Sequence, residues 1–179
     1  MEYRKAIISD INCIAQLVTD LIGSCNIKSK KSILETNIED ITKDINNYYV
    51  CIIDGKIVGT CGISNVIKSD KYNLNLKNIR EILYLAVDKK YQGRGIGTNL
   101  LKLCSCNNKY DILYEAWGDN GKYVNSKFIL KKCGYELIKN LGNNYYRKNN
   151  YCPKCVNRDK NCNKCIAQIW IKHKYTNLC

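Results

Sequence analysis

Residues 82–87, Ile-Leu-Tyr-Leu-Ala-Val, are apolar without interruption, whereas a strand with one wet face would alternate. The run therefore predicts a strand in the interior of a sheet. It stops at a charged turn, Asp88 to Tyr91, after which Gly93, Gly95 and Gly97 alternate with Gln92, Arg94 and Ile96. From Thr98 the period changes, and Leu100, Leu101, Leu103 and Cys104 stripe one face of a helix. Upstream, the pattern predicts a strand over 4–8, an amphipathic helix over 11–22 with Asp10 placed to cap it, and a helix over 31–45 carried by Ile38, Ile41 and Ile45. Strands at 48–53 and 57–63 flank Asp54-Gly55, a hairpin signal. Downstream follow a strand over 112–117, a helix over 124–132 closed by Gly134, a strand over 135–138 and a strand-like stretch over 166–175.

A glycine turn between a buried strand and a helix start is suited to phosphate. Glycine lets backbone amides approach a ligand, and the first turn of a helix offers unpaired N–H groups at the positive end of its dipole. Two common glycine motifs fail here. GxGxxG would need glycine at Thr98 or at Leu100, and GxxxxGK[ST] occurs nowhere. The stretch does contain Q-x-x-G-x-G at Gln92, Gly95 and Gly97. In this it resembles the acetyl-CoA loop of the GNAT acetyltransferase superfamily, and the order of elements over residues 3–148 is similar to that family's. The resemblance implies an α/β fold with a mixed, mostly antiparallel twisted sheet flanked by helices.

Composition adds limits. A chain of 179 residues holds one domain of ordinary size and a small appendage, read here as 1–148 and 149–179. No run is apolar enough to span a bilayer, and the first residues lack a signal-peptide core, so the expected compartment is the cytoplasm. The net charge of +13 would suit nucleic acid if it were clustered, but the lysines are scattered, so a nucleic-acid partner is not favoured. Cys13, Cys51, Cys61, Cys104 and Cys133 fall on predicted apolar faces, where a free thiol behaves as a small hydrophobe. The tail is different, because Cys152, Cys155, Cys162 and Cys165 form CxxC-x6-CxxC. Two such turns supply the four sulfurs of a closed structural Zn²⁺ site; an iron–sulfur cluster or two redox pairs are the alternatives. Some prokaryotic-type GNAT proteins carry a similar extension that opens with CPxC. The one histidine, His173, lies past this set and is expected at the polar end of the last strand.

A single remote histidine disfavours Ser-His-Asp and Cys-His chemistry and turns attention to carboxylates and backbone dipoles. By strand alternation Glu81 shares a face with Leu83, Leu85 and Val87. The resemblance implies that Glu81 is the general base, acting through water; the alternative is a strand-end carboxylate paired with Arg80 or a lysine. Glu115 is the second candidate base. The resemblance further implies that the Val87 N–H polarises the thioester, that Leu85, Ala86 and Val87 pair with the pantetheine arm, and that Gln92, Gly93, Arg94, Gly95, Ile96, Gly97 and Thr98 hold the pyrophosphate. One departure stands out: the family's tyrosine acid falls on Leu130 and a usual asparagine on Tyr123. Tyr123, Tyr84 or water would then have to protonate the thiolate, and Asn125 could supply the missing amide. The implied function is acetyl transfer from acetyl-CoA to a primary amine of a protein, peptide or small molecule. The alternative is a weak or silent acyl-CoA-binding protein whose basic zinc tail binds nucleic acid or a partner protein.

Overall fold

The computed structural model describes residues 1–23, 31–69, 72, 74, 76–106, 109–118, 122, 124–143, 145 and 165–174. In chain order the elements are β1 (Glu2–Lys5), α1 (Ile11–Leu21), α2 (Ile33–Asp44), β2 (Tyr48–Ile53), β3 (Lys56–Ile63), β4 (Ile67–Ser69) and β5 (Leu76–Val87). They continue with α3 (Ile96–Ser105), β6 (Asp111–Gly118), α4 (Lys127–Lys132), β7 (Glu136–Asn143) and β8 (Ile166–Lys172). The main sheet runs β1-β2-β3-β5-β6-β8-β7, with β4 pairing β5 to one side of this path. Among the described residues only β5 and β6 pair in parallel; the other pairs are antiparallel.

Local chemistry accounts for most boundaries. Asp54 (φ 50°) and Gly55 (φ 73°) both take left-handed conformations, the twist a two-residue hairpin needs between β2 and β3. Ser32 caps α2 by accepting from the Glu35 N–H, while the Glu35 carboxylate accepts from the Ser32 N–H at 2.9 Å. Asp10 stands at the start of α1 but does not cap it. Its carboxylate instead takes both guanidinium nitrogens of Arg4, at 2.6 and 3.0 Å, and the Ile7 N–H at 2.8 Å. These contacts, led by the one with Arg4, hold it below the usual carboxylate range.

Alternation along the strands divides the interior. Tyr48 and Val50 join Ile14, Val18 and Ile41 on the face covered by α1 and α2. Cys51, Val58 and Ile82 join Leu100, Leu101 and Leu130 on the face covered by α3 and α4. Cys51, Cys61, Cys104 and Cys133 are buried free thiols, as read from the sequence, but Cys13 is exposed. Cys106 is disulfide-bonded.

Three differences from the sequence reading matter for the site. β5 begins at Leu76, well before 82, with β4 laid against its first half. β7 reaches Asn143. The last strand, β8, is inserted between β6 and β7 and pairs with β6 from Ile112 to Gly118. His173 follows it, with Nδ1 3.4 Å from Asp111 Oδ2. No helix among the described residues is long and apolar enough to cross a membrane. The expected division at 148 falls among residues outside the described set.

Candidate active site

The two parallel strands do not stay together. β5 pairs with β6 only at Ile79–Asp111, Arg80–Ile112 and Glu81–Leu113, after which they separate. The cause lies on the other side of β5. Thr60 of β3 pairs with Ala86 but Gly62 pairs with Leu83, so Tyr84 and Leu85 together oppose Cys61. Tyr84 takes a φ of 45°, and this bulge bends β5 at that point. A cleft of about 1190 Å³ occupies the opening, with the glycine loop at one end and Glu81 and Glu115 in its wall.

The bulge corrects one expectation. Leu83, Tyr84 and Ala86 pack toward α1 and α2, whereas Leu85 and Val87 pack toward α3. Simple alternation would keep Glu81 on the face of Leu85 and Val87, but the extra residue at the bulge reverses the phase. Glu81 therefore shares a face with Leu83 and not with the strand's end.

At that end, the Asp88 N–H donates to Val58 O at 2.8 Å, toward β3. Backbone polar groups alternate sides along a strand, so the N–H of Val87 points the other way, into the gap left by β6. The Val87 carbonyl accepts from the Gln92 side chain at 2.8 Å, which folds the loop back against the strand. Gly93 and Gly95 hold φ values of 78° and 79°, and Gly95 is the residue at which α3 starts. The N–H groups of Ile96, Gly97 and Thr98 have no acceptor within α3. Of the residues expected at the cofactor, all line the cleft except Arg94, whose guanidinium lies over the Tyr91 ring at 5.2 Å.

The carboxylates meet at a residue that the sequence reading did not single out. Tyr72 is buried, and its hydroxyl lies 3.4 Å from Glu81 Oε1 and within close hydrogen-bonding contact of Glu115 Oε2. Burial, then the charges of Glu115 and Glu81, push the phenol far above its ordinary pKa, so it stays protonated. Ser64 holds the backbone of Glu81, accepting its N–H through Oγ and donating its own N–H to the Glu81 carbonyl, both at 2.8 Å. Arg80 directs Nε to Ser64 O at 2.7 Å. Tyr72 sits among residues 70–75, a polar stretch with no periodicity; only its aromatic character could have marked it.

The candidates for thiolate acid fare unequally. Leu130 is fully buried in the core, Tyr123 lies outside the described residues, and the Tyr84 hydroxyl donates to Asn37 Oδ1 at 3.3 Å on α2. Asn125 lines the cleft, with its N–H on Trp117 O at 3.0 Å. Cys152, Cys155 and Cys162 also lie outside the described residues, while Cys165 is buried next to the start of β8. Among the described residues there is no cluster of three or more metal-binding side chains.

A family model for the acetyltransferase (GNAT) domain matches residues 44–153. An uncharacterized N-acetyltransferase of Chlorobaculum tepidum is 26% identical over 168 residues, 92% of this chain and 88% of that protein. Among solved structures, an N-acetyltransferase from Staphylococcus aureus superposes with a TM-score of 0.59 at 16% identity, covering 96% of this chain and 100% of that one. Rv2747 of Mycobacterium tuberculosis, solved with CoA and NLQ, gives 0.58 at 15% identity over 97% and 99%.

Proposed function

The chain belongs to the GNAT acetyltransferase family, and on that premise we propose that it moves an acetyl group from acetyl-CoA to a primary amine. The observation that carries the reading is the separation of β5 from β6 just after Glu81, which leaves a cleft open from the glycine loop to a pair of carboxylates. In this reading the amides of Gly93 to Thr98 and the start of α3 take the pyrophosphate. The pantetheine arm lies along Leu85 to Val87, where β6 no longer occupies the edge. The CoA complex of Rv2747, a protein of the same fold, supports this choice of cosubstrate.

The chemistry then follows from the groups at hand. The amine nitrogen attacks the thioester carbonyl carbon, whose oxygen gathers charge against the Val87 N–H. The C–S bond breaks, the amide bond forms, and the amine's proton passes through water to Glu81. Asp20, Asp40, Asp44 and Glu115 also line the cleft and outnumber its lysines, Lys43, which pairs with Asp40 at 2.9 Å, and Lys89; this acidic excess suits an ammonium-bearing acceptor. With Leu130 buried at the family's tyrosine position, the thiolate takes its proton from solvent in this scheme. The same leucine favours a second reading, in which the cleft binds acyl-CoA with little turnover.

Acetyl-CoA is expected to raise the melting temperature, and thiol release across a panel of amines and peptides separates the readings. Glu81→Gln is expected to lower kcat about a hundredfold while leaving that stabilisation in place. Equal turnover in the variant removes Glu81 from the mechanism, and failure of every acyl-CoA to stabilise the chain removes the cofactor reading. For the tail we propose one structural Zn²⁺ on Cys152, Cys155, Cys162 and Cys165, supported by their spacing. Elemental analysis is expected to find about one zinc per chain, lost when Cys152 and Cys155 become serine.

A further inference from the structure

We infer that Tyr72 is a positioning residue for proton transfer, a clamp that seats Glu115 and orients Glu81 toward the acceptor; this rests on the acetyl-transfer reading above. The geometry is specific. Tyr72 is 4% exposed and packs with Ile79, Leu113 and Ile169, a small core on the β5–β6 surface. Its hydroxyl emerges between two carboxylates from two strands, at the place where those strands last pair. The chain position of Tyr72 is secured as well, since Lys139 of β7 donates Nζ to its carbonyl at 2.6 Å.

A phenol has one proton to give. Glu115 is the nearer acceptor and takes it, so Glu115 is the anchored member of the pair. Glu81 Oε1, at 3.4 Å, makes the longer contact and is the carboxylate that can turn to a water or an incoming amine. Ser64 meanwhile holds the Glu81 main chain on both its N–H and its carbonyl. The phenol is not the acid for the leaving thiolate, because its proton is engaged by Glu115 and it does not line the cleft. Tyr72 thus assigns different work to two chemically identical side chains. Among the described residues, the charged and titratable groups around it include Glu81 of β5, Glu115 of β6, Lys139 of β7 and Tyr145.

The test compares Tyr72→Phe with the unaltered full chain. The variant is expected to keep acetyl-CoA stabilisation and the KM for acetyl-CoA, while kcat falls about tenfold, the size of one lost hydrogen bond to a charged group. The 3.4 Å contact of the hydroxyl with Glu81 is lost with it, and loss of a donor disfavours the carboxylate form of the base, so the acidic limb of the kcat/KM profile should move to higher pH. A merely structural role would leave that limb in place. Carboxyl resonances of protein labelled with ¹³C-glutamate, assigned through Glu81→Gln and Glu115→Gln, read the same contact without turnover. The chemical shifts of both carboxyls should change in Tyr72→Phe. Unchanged carboxyl shifts overturn the clamp even where the chain transfers acetyl groups. Changed shifts in a chain with no turnover on any amine overturn the acetyl-transfer reading, and the proton-transfer role with it. Should Tyr72→Phe fail to fold, Glu115→Gln is expected to show the same fall in kcat, and full activity there refutes the inference.

Discussion

Gly95 and Gly97 belong to one motif but answer to different physics, so substituting them separates the demands of the fold from those of the ligand. Gly95 sits at φ 79°, and a Cβ built there meets nothing within 4 Å. The cost of Gly95→Ala is therefore purely conformational, about 1–2 kcal/mol for placing an L-residue in the left-handed region. Gly97 has no such φ and lies within α3, where a Cβ would stand 3.4 Å from Ile129 Cδ1 and 3.6 Å from Val87 Cγ2, ordinary contact distances. Gly97→Ala should thus gain up to about 1 kcal/mol of helix propensity. For a chain of this size 1 kcal/mol moves the melting temperature by about 2–4 °C. The two variants should straddle the unaltered protein, with Gly97→Ala above it and Gly95→Ala below, about 2–12 °C apart by these figures. Differential scanning calorimetry without ligand measures the interval. A bulky residue at Gly95, as in Gly95→Leu, should in addition lose the stabilisation by acetyl-CoA, because its side chain enters the open space of the loop. A Gly95→Ala protein that melts at or above the unaltered one would refute the account of the loop.

Asp10 supports folding as an anion, with a folded pKa lower than that of the unfolded chain, so its contribution is complete above about pH 4 and drains away as pH falls through the folded value. Asp10→Asn should cost about 2 kcal/mol at neutral pH and flatten the loss of stability on acidification, as followed by urea titration; equal acid sensitivity in both proteins would contradict the Arg4–Asp10 pairing. At Gly62 a Cβ would stand 2.5 Å from the ring of the fully buried Tyr48, so Gly62→Ala should destabilise the sheet by about 1–3 kcal/mol; an unchanged melting temperature would show that the ring can move.

The parts legible in the sequence were those whose cause is local. The unbroken run 82–87, the Asp54-Gly55 turn and the stripe of Leu100, Leu101 and Cys104 each appear as elements of the expected kind. The glycine loop follows for the same reason, since a strand, a turn and a helix start are contiguous in the chain. Glu81 and Glu115 were visible as carboxylates on neighbouring strands, and both line the cleft. What stayed hidden depends on partners far apart in sequence. The bulge at Tyr84 arises from the mismatch of β3 against β5, and no residue near Tyr84 announces it. Tyr72 meets Glu115 across 43 positions of chain, a contact that no local pattern announces. Asp10 looked like a cap because its neighbours are local, whereas Arg4 reaches it from β1.

The placement of β8 joins the tail to the site. Beyond Leu113, β6 has left β5, so among the described residues its ladder from Tyr114 to Gly118 rests on β8 alone. That same stretch carries Tyr114, Glu115 and Trp117 into the wall of the cleft. A wall bordering an opening lacks the support of a strand on its open side, and unpaired backbone groups are costly unless water reaches them. The strand that supplies the missing pairing starts at Ile166, immediately after Cys165. Cutting the chain before the cysteine set would therefore remove more than an appendage. It would strip β6 of its partner along the wall of the cleft and leave β7, which among the described residues pairs with β8 alone, without a neighbour. A metal that gathers Cys165 with the other three thiols would act on the site through this route, by fixing where β8 enters the sheet and so how far β6 stands from the bend in β5.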